Sequence, residues 1–124
     1  MDLITLINAR KIIMQHSQEK LPMPLAYKFA KFLKETESDE AFYNEKFLEI
    51  VNQYRQRDEN GNFVESDNGI LLIASETEKC KEELKELGNT KVNLPNIRFS
   101  LHELSILKLS VQDIFVLEEL FEEK

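Results

Sequence analysis

Leu3, Leu6, Ile7, Arg10, Ile13 and Met14 recur three and four apart, while Asn8, Lys11 and Gln15 fall elsewhere around the turn. That spacing lines one face with mostly apolar groups and predicts a first helix over about 3–18. Pro22 and Pro24 then interrupt the pattern, because the residue before a proline is pushed out of the α region. A proline is tolerated in a first helical turn, where its missing N–H has no partner, so Pro24 reads as the start of a second helix.

In that second helix Leu25, Phe29, Phe32, Leu33, Thr36, Tyr43, Phe47, Ile50, Val51 and Tyr54 keep a mixed three-and-four spacing, with a weak patch at Ser38, Asp39 and Glu40. About 30 residues of helix span ~45 Å, long against a radius of gyration of ~14 Å for a domain of this size. The expectation is a long, hairpin-like helical layer that projects or packs on another copy, with any bend at Ser38–Glu40.

Asn60-Gly61 and Asn68-Gly69 suit turns with positive φ and end the helix. ILLIA (70–74) is a short apolar run bounded by turn residues, which fits a strand or a buried helix start, the strand being preferred. Ser75-Glu76-Thr77-Glu78 fits a capping box, and a third helix follows through Cys80, Leu84 and Leu87 to the stop signal Gly88-Asn89. TKVNLPNIRFS alternates around Pro95, as an edge segment would, and is expected to pair with 70–74. Ser100 and Ser110 each precede an acid by three residues and predict two short helices. The last helix runs through Ile114, Phe115, Leu117, Leu120 and Phe121 into EELFEEK, whose acids oppose the helix dipole and should fray unless docked. The expected class is mainly α (α+β): an N-terminal helix, a long second helix, a small two-stranded sheet element and short C-terminal helices. At 124 residues the chain reads as a single domain, 1–124. Residues 1–57 form its helical part and 58–124 an acidic α+β part.

Charge sharpens that division. Residues 1–57 hold nine Lys/Arg against eight Asp/Glu, a balance of +1, and 58–124 hold seven against fifteen, a balance of −8. Such a field repels nucleic acid and favours basic protein surfaces, so no direct nucleic-acid binding is expected. One cysteine, Cys80, excludes an internal disulfide. The opening residues lack a basic start and an unbroken apolar run, and nowhere do ~18 apolar residues follow one another, so neither a signal peptide nor a membrane span is expected.

Chemistry is sparse. His16, His102 and Cys80 stand alone and read as packing or surface residues; no metal, cofactor or phosphate-loop motif accompanies them. Lys79 and Lys81 beside Cys80 are of a kind that lowers a thiol pKa, but the cysteine reads as a small half-buried residue. Adjacent acids such as Glu82-Glu83, Glu118-Glu119 and Glu122-Glu123 point about 100° apart on a helix and do not converge on a substrate. In KLPMPLAYKFAKFLK, residues 20–34, the lysines Lys28, Lys31 and Lys34 step by three and drift around the helix, with Leu25, Phe29, Phe32 and Leu33 on the apolar side. They read as a snorkelled flank bordering a neighbour. With Glu118, Glu119, Glu122 and Glu123 they are the candidate interaction residues, and no catalytic set is assigned.

The layout of KLPMPLAYKFAKFLK leading into a long charged helix, RDENGNF at its end, then EELKELGNTKVNLPNIRFSLHEL and a closing acidic helix, resembles a family of small phage and prophage proteins of Gram-positive bacteria whose function is unknown. The resemblance covers nearly the full length and contains no catalytic signature, so no active residues carry over. It implies a virus-related origin and a non-enzymatic role in the host cytoplasm, with virion association as a variant. Two roles follow as expectations. One is a virion-assembly or tail-associated accessory protein that packs against itself, as a homo-oligomer, or against a morphogenesis component. The other is an inhibitor of a host defence protein, anti-CRISPR-like, whose acidic half occupies a basic nucleic-acid groove.

Overall fold

The computed structural model of the protein describes residues 1–66, 69–70 and 72–122, with side chains described outside 65–71. The Asn68 half of the second expected turn, Leu71 within ILLIA and Glu123 of the candidate surface lie outside the described residues. Among the described residues six α-helices account for the architecture: α1 Leu3–His16, α2 Met23–Glu35, α3 Glu37–Tyr54, α4 Thr77–Gly88, α5 Leu101–Leu104 and α6 Val111–Leu117, which tightens into a 3-10 turn at Glu118–Leu120.

α1 is the central element and packs against α2, α3, α4 and α6. Its apolar face is wider than the sequence spacing implies, because Ala9 and Ile12 are buried along with Leu3, Leu6, Ile7 and Ile13. A helix enclosed from several sides buries more than one stripe. The main core joins Leu6, Ile13, Phe29 and Phe32 to Ile97, Phe99, Leu104, Leu117 and Leu120, so it draws on both halves of the chain. Phe29 and Phe99 meet edge to face with centroids 5.6 Å apart. A smaller cluster of Leu3, Ile7 and Leu87 lies under Tyr43, Phe47 and Ile50 of α3.

The long second helix is broken, and the break falls at Thr36, two residues before the weak patch that pointed to Ser38–Glu40. The cause lies in α1. Arg10, 5% exposed, donates from Nη1 to the Leu33 carbonyl at 2.7 Å and to the Thr36 hydroxyl, and from Nε to Glu40 at 2.7 Å. The Thr36 hydroxyl in turn donates to the Phe32 carbonyl at 2.7 Å. A side chain that takes a carbonyl from the helical ladder and a threonine that bonds back to residue i−4 are both recognised causes of bending. The run is therefore two helices, of which α3 packs on α4, instead of one continuous ~45 Å rod.

The expected sheet is overturned. Among the described residues, 70 and 72–74 do not pair with 92–99 and there is no sheet layer; the α+β expectation is corrected to a mainly helical fold. Among the described residues the only ladder pairs two residues per arm, β1 Glu65–Ser66 antiparallel to β2 Gly69–Ile70. Beyond it Leu72 forms an isolated bridge to Arg55, and Ala74–Glu76 is already a 3-10 turn. The 92–99 segment is neither helix nor named strand, and its ends dock elsewhere. Val92 N–H donates to the Met1 carbonyl at 3.0 Å, and Phe99 bridges Phe121 in parallel, donating to Leu120 at 2.8 Å and accepting from Glu122 at 2.9 Å. That second pairing ties the residues after α6 to the segment just before α5 and offsets the fraying expected of the last turn.

Local capping has a mixed outcome. Ser100 with Glu103 and Ser110 with Asp113 form complete capping boxes. The box expected at Ser75 does not form: α4 starts at Thr77 behind Glu76, with no side-chain cap, because the preceding 3-10 turn already supplies the entry. Asn60-Gly61 makes its turn, with Gly61 at φ 81° and the Asp58 carboxylate accepting from the N–H groups of Asn60 and Asn62. Gly88 has another role than a left-handed stop, since a Cβ there would sit 3.0 Å from Ile4 Cβ. Its missing side chain lets α4 approach α1.

Candidate interaction surfaces

The three lysines of α2 part company in the folded chain. Lys28 is drawn inward: its Nζ donates to the Arg98 carbonyl at 2.8 Å and to Glu103 at 2.7 Å, and lies 5.8 Å from the Phe99 ring centroid. The same Glu103 oxygen accepts from Ser100 N–H at 3.0 Å. Lys28 thus clamps the capping box of α5 onto α2. Lys31 and Lys34 remain exposed on the far side, with Lys31 at 3.9 Å from Glu35. Met23 and Tyr27, 79% and 66% exposed, stand on that same outer face, opposite the buried Leu25, Phe29 and Phe32.

At the other end of the chain Glu118, Glu119 and Glu122 are exposed. Glu119 lies 3.9 Å from the Met1 amine and Glu122 4.0 Å from Lys28, distances at which water screens most of the attraction. The acids sit at the end of an apolar surface that the sequence reading did not single out. Leu101, Ile106, Val111 and Phe115 are all more than half exposed. Between α5 and α6 a groove of about 170 Å³ is lined by Leu101, Leu104, Leu107, Leu109, Ile114 and Phe121. One signal was available in the sequence. Val111, Ile114 and Phe115 lie on one side of a helix and Val116, Leu117 and Leu120 on another, more apolar width than a single buried stripe requires.

A second, polar cleft of about 550 Å³ lies between the α2–α3 bend and residues 91–96, with Glu35, Asp39, Lys91, Asn93 and Asn96 on its walls. The groups with latent chemistry do not gather there. His16 is buried against Glu19, which takes its Nδ1, and His102 is exposed. Cys80 is buried, and burial followed by the nearby Glu83 charge pushes its thiol pKa up rather than down; its flanking lysines point to solvent. Tyr54 is pushed up to about 12, first by the Glu83 carboxylate against its phenol and then by burial. Burial pushes the Glu103 carboxyl up, but the Lys28 ammonium and the Ser100 N–H outweigh it, and the net pKa is lowered. Among the described residues no three or more His, Cys, Asp or Glu side chains cluster as metal ligands would, and no helix is long and apolar enough to cross a membrane.

The chain matches no protein-family model, no curated protein and no solved structure.

Proposed function

We propose that the chain is a non-enzymatic protein-interaction protein of a phage or prophage, acting as a virion-assembly or tail-associated accessory. The observation that carries this reading is the apolar surface of α5, α6 and the loop between them, where Leu101, Ile106, Val111 and Phe115 stand in solvent beside exposed acids. Contiguous apolar patches rimmed by polar groups mark interaction sites more often than chance exposure. The total accessible surface supports it: 8721 Å² against ~6,900 Å² for a compact monomer of this mass. The phage setting rests on the resemblance of the sequence phrases described above.

The test is co-purification from infected-host lysate by tagged wild type and by Phe115→Glu. Recovery of a virion or morphogenesis component by wild type and its loss in the variant support the reading. Recovery of nothing by either protein sinks it. The acidic tip favours one second reading, inhibition of a host defence protein through a basic groove. A host nuclease captured by wild type and lost on reversing Glu118, Glu119 and Glu122 to lysine would select that reading instead.

A further inference from the structure

Two exposed helix faces of this chain carry the same order of chemistry with opposite charge. On α2 the outer face runs Met23, Tyr27, Lys31, Lys34; from α6 onward one exposed face includes Val111, Phe115, Glu118 and Glu119, while the exposed Ile114 turns toward the α5–α6 groove. In each, two apolar residues one turn apart come first, and charges follow from the second turn on. The α2 face spans ~16 Å along its axis. Laid side by side in parallel, Met23 and Tyr27 meet Val111 and Phe115, while Lys31 and Lys34 meet Glu118 and Glu119.

The two faces cannot meet within one molecule. The side of α2 that touches the C-terminal segment carries Lys28, which bonds to Arg98 and Glu103, and Met23, Tyr27 and Lys34 point away from it. Neither face complements itself: α2 against α2 sets lysine on lysine or on a methionine, and α6 against α6 does the same with carboxylates. Like charges in a contact repel and desolvated charges without partners are costly.

We propose that the occupant of the α6 face is the α2 face of a second copy of this chain, in a head-to-tail contact. Such a contact is heterologous, so repetition closes into a ring or continues as a filament. The inference rests on the interaction reading above and names the chain itself as the partner. Apolar residues supply the area, and the Lys/Glu pairs set direction and register.

Sedimentation velocity of the purified full chain over a concentration series tests it. Wild type is expected to form species heavier than the 14.6 kDa monomer, either reaching a plateau at a fixed multiple or growing with concentration. Lys31→Glu with Lys34→Glu should return the monomer, and so should Glu118→Lys with Glu119→Lys. Mixing these two variants, or combining all four reversals in one chain, should restore the heavier species, because each reversed face again meets its opposite. Restoration also shows that the variants are folded. Assembly that ignores the α2 reversal, or no restoration on mixing, overturns the head-to-tail contact. A wild type that stays monomeric at every concentration overturns it too, while the lysate experiment decides separately whether the chain has a foreign partner.

Discussion

α2 and α3 read in the sequence as one helix, yet the folded chain treats them differently. α2 buries Leu25, Phe29 and Phe32, the last with no exposed surface at all, and stands in the main core. α3 is longer at 18 residues but fully buries only Val51, resting Tyr43, Phe47 and Ile50 on the satellite cluster. Length in a helix is therefore no guide to its share of the stability. What counts is the number of side chains that lose water, and that number is decided by whether α1 and the C-terminal segment cover the face.

Truncation should separate the two helices most sharply. Phe32→Ala is expected to cost about 3–5 kcal/mol, as for other large core residues, whereas Leu48→Ala, at a half-exposed position of α3, should stay within ~0.5 kcal/mol. Denaturant melts of both variants check this, and comparable losses would erase the contrast. The joint between the helices comes next. Arg10→Ala removes the donors to Leu33, Thr36 and Glu40 and should cost about 2–3 kcal/mol. Glu40, 41% exposed, is left near water, so the loss stays below that of a fully buried broken pair. Amide exchange by NMR should show α3 opening more readily than α2 in wild type, and the gap should widen in this variant.

A smaller effect is expected where α2 meets the C-terminal segment. The Glu103 pKa is lowered in the folded chain, so its contribution to stability is present above the ordinary carboxylate value of 4.5. That contribution is lost as pH falls through the lowered folded value. Lys28→Gln should flatten this acid limb in a series of melts, at a cost near neutral pH of about 1–2 kcal/mol. An unchanged acid limb would remove Lys28 as its cause. The least effect on stability concerns the far end of α3. One tyrosine, Tyr54, should ionise only near pH 12 in a spectrophotometric titration, and Glu83→Gln should bring that midpoint back toward 10.0.

The elements differ in how far they could be read from the chain. The boxes at Ser100 and Ser110 were legible because a capping box is closed by residues three apart, and Pro22 and Pro24 announced the entry to α2 for an equally local reason. ILLIA was ambiguous because a short apolar run fits a strand or a buried helix start alike, and its expected partner 92–99 docks at Met1 and Phe121, which no local pattern indicates. Of the candidate surface, Lys31, Lys34 and the acids Glu118, Glu119 and Glu122 remain outside, while Lys28 is taken by a carboxylate 75 residues away.

By itself, then, the sequence determined helical content, most helix starts, the Gly61 turn and the acidic bias of the second half, since each depends on neighbours within a few residues. Tertiary structure alone decided that the second helix breaks at Thr36 beside Arg10, that Gly88 admits α4 to α1, and that Val111 and Phe115 face solvent. Those outcomes depend on which surfaces meet. A periodic pattern records that a face is apolar, and only packing decides what, if anything in the same chain, covers it.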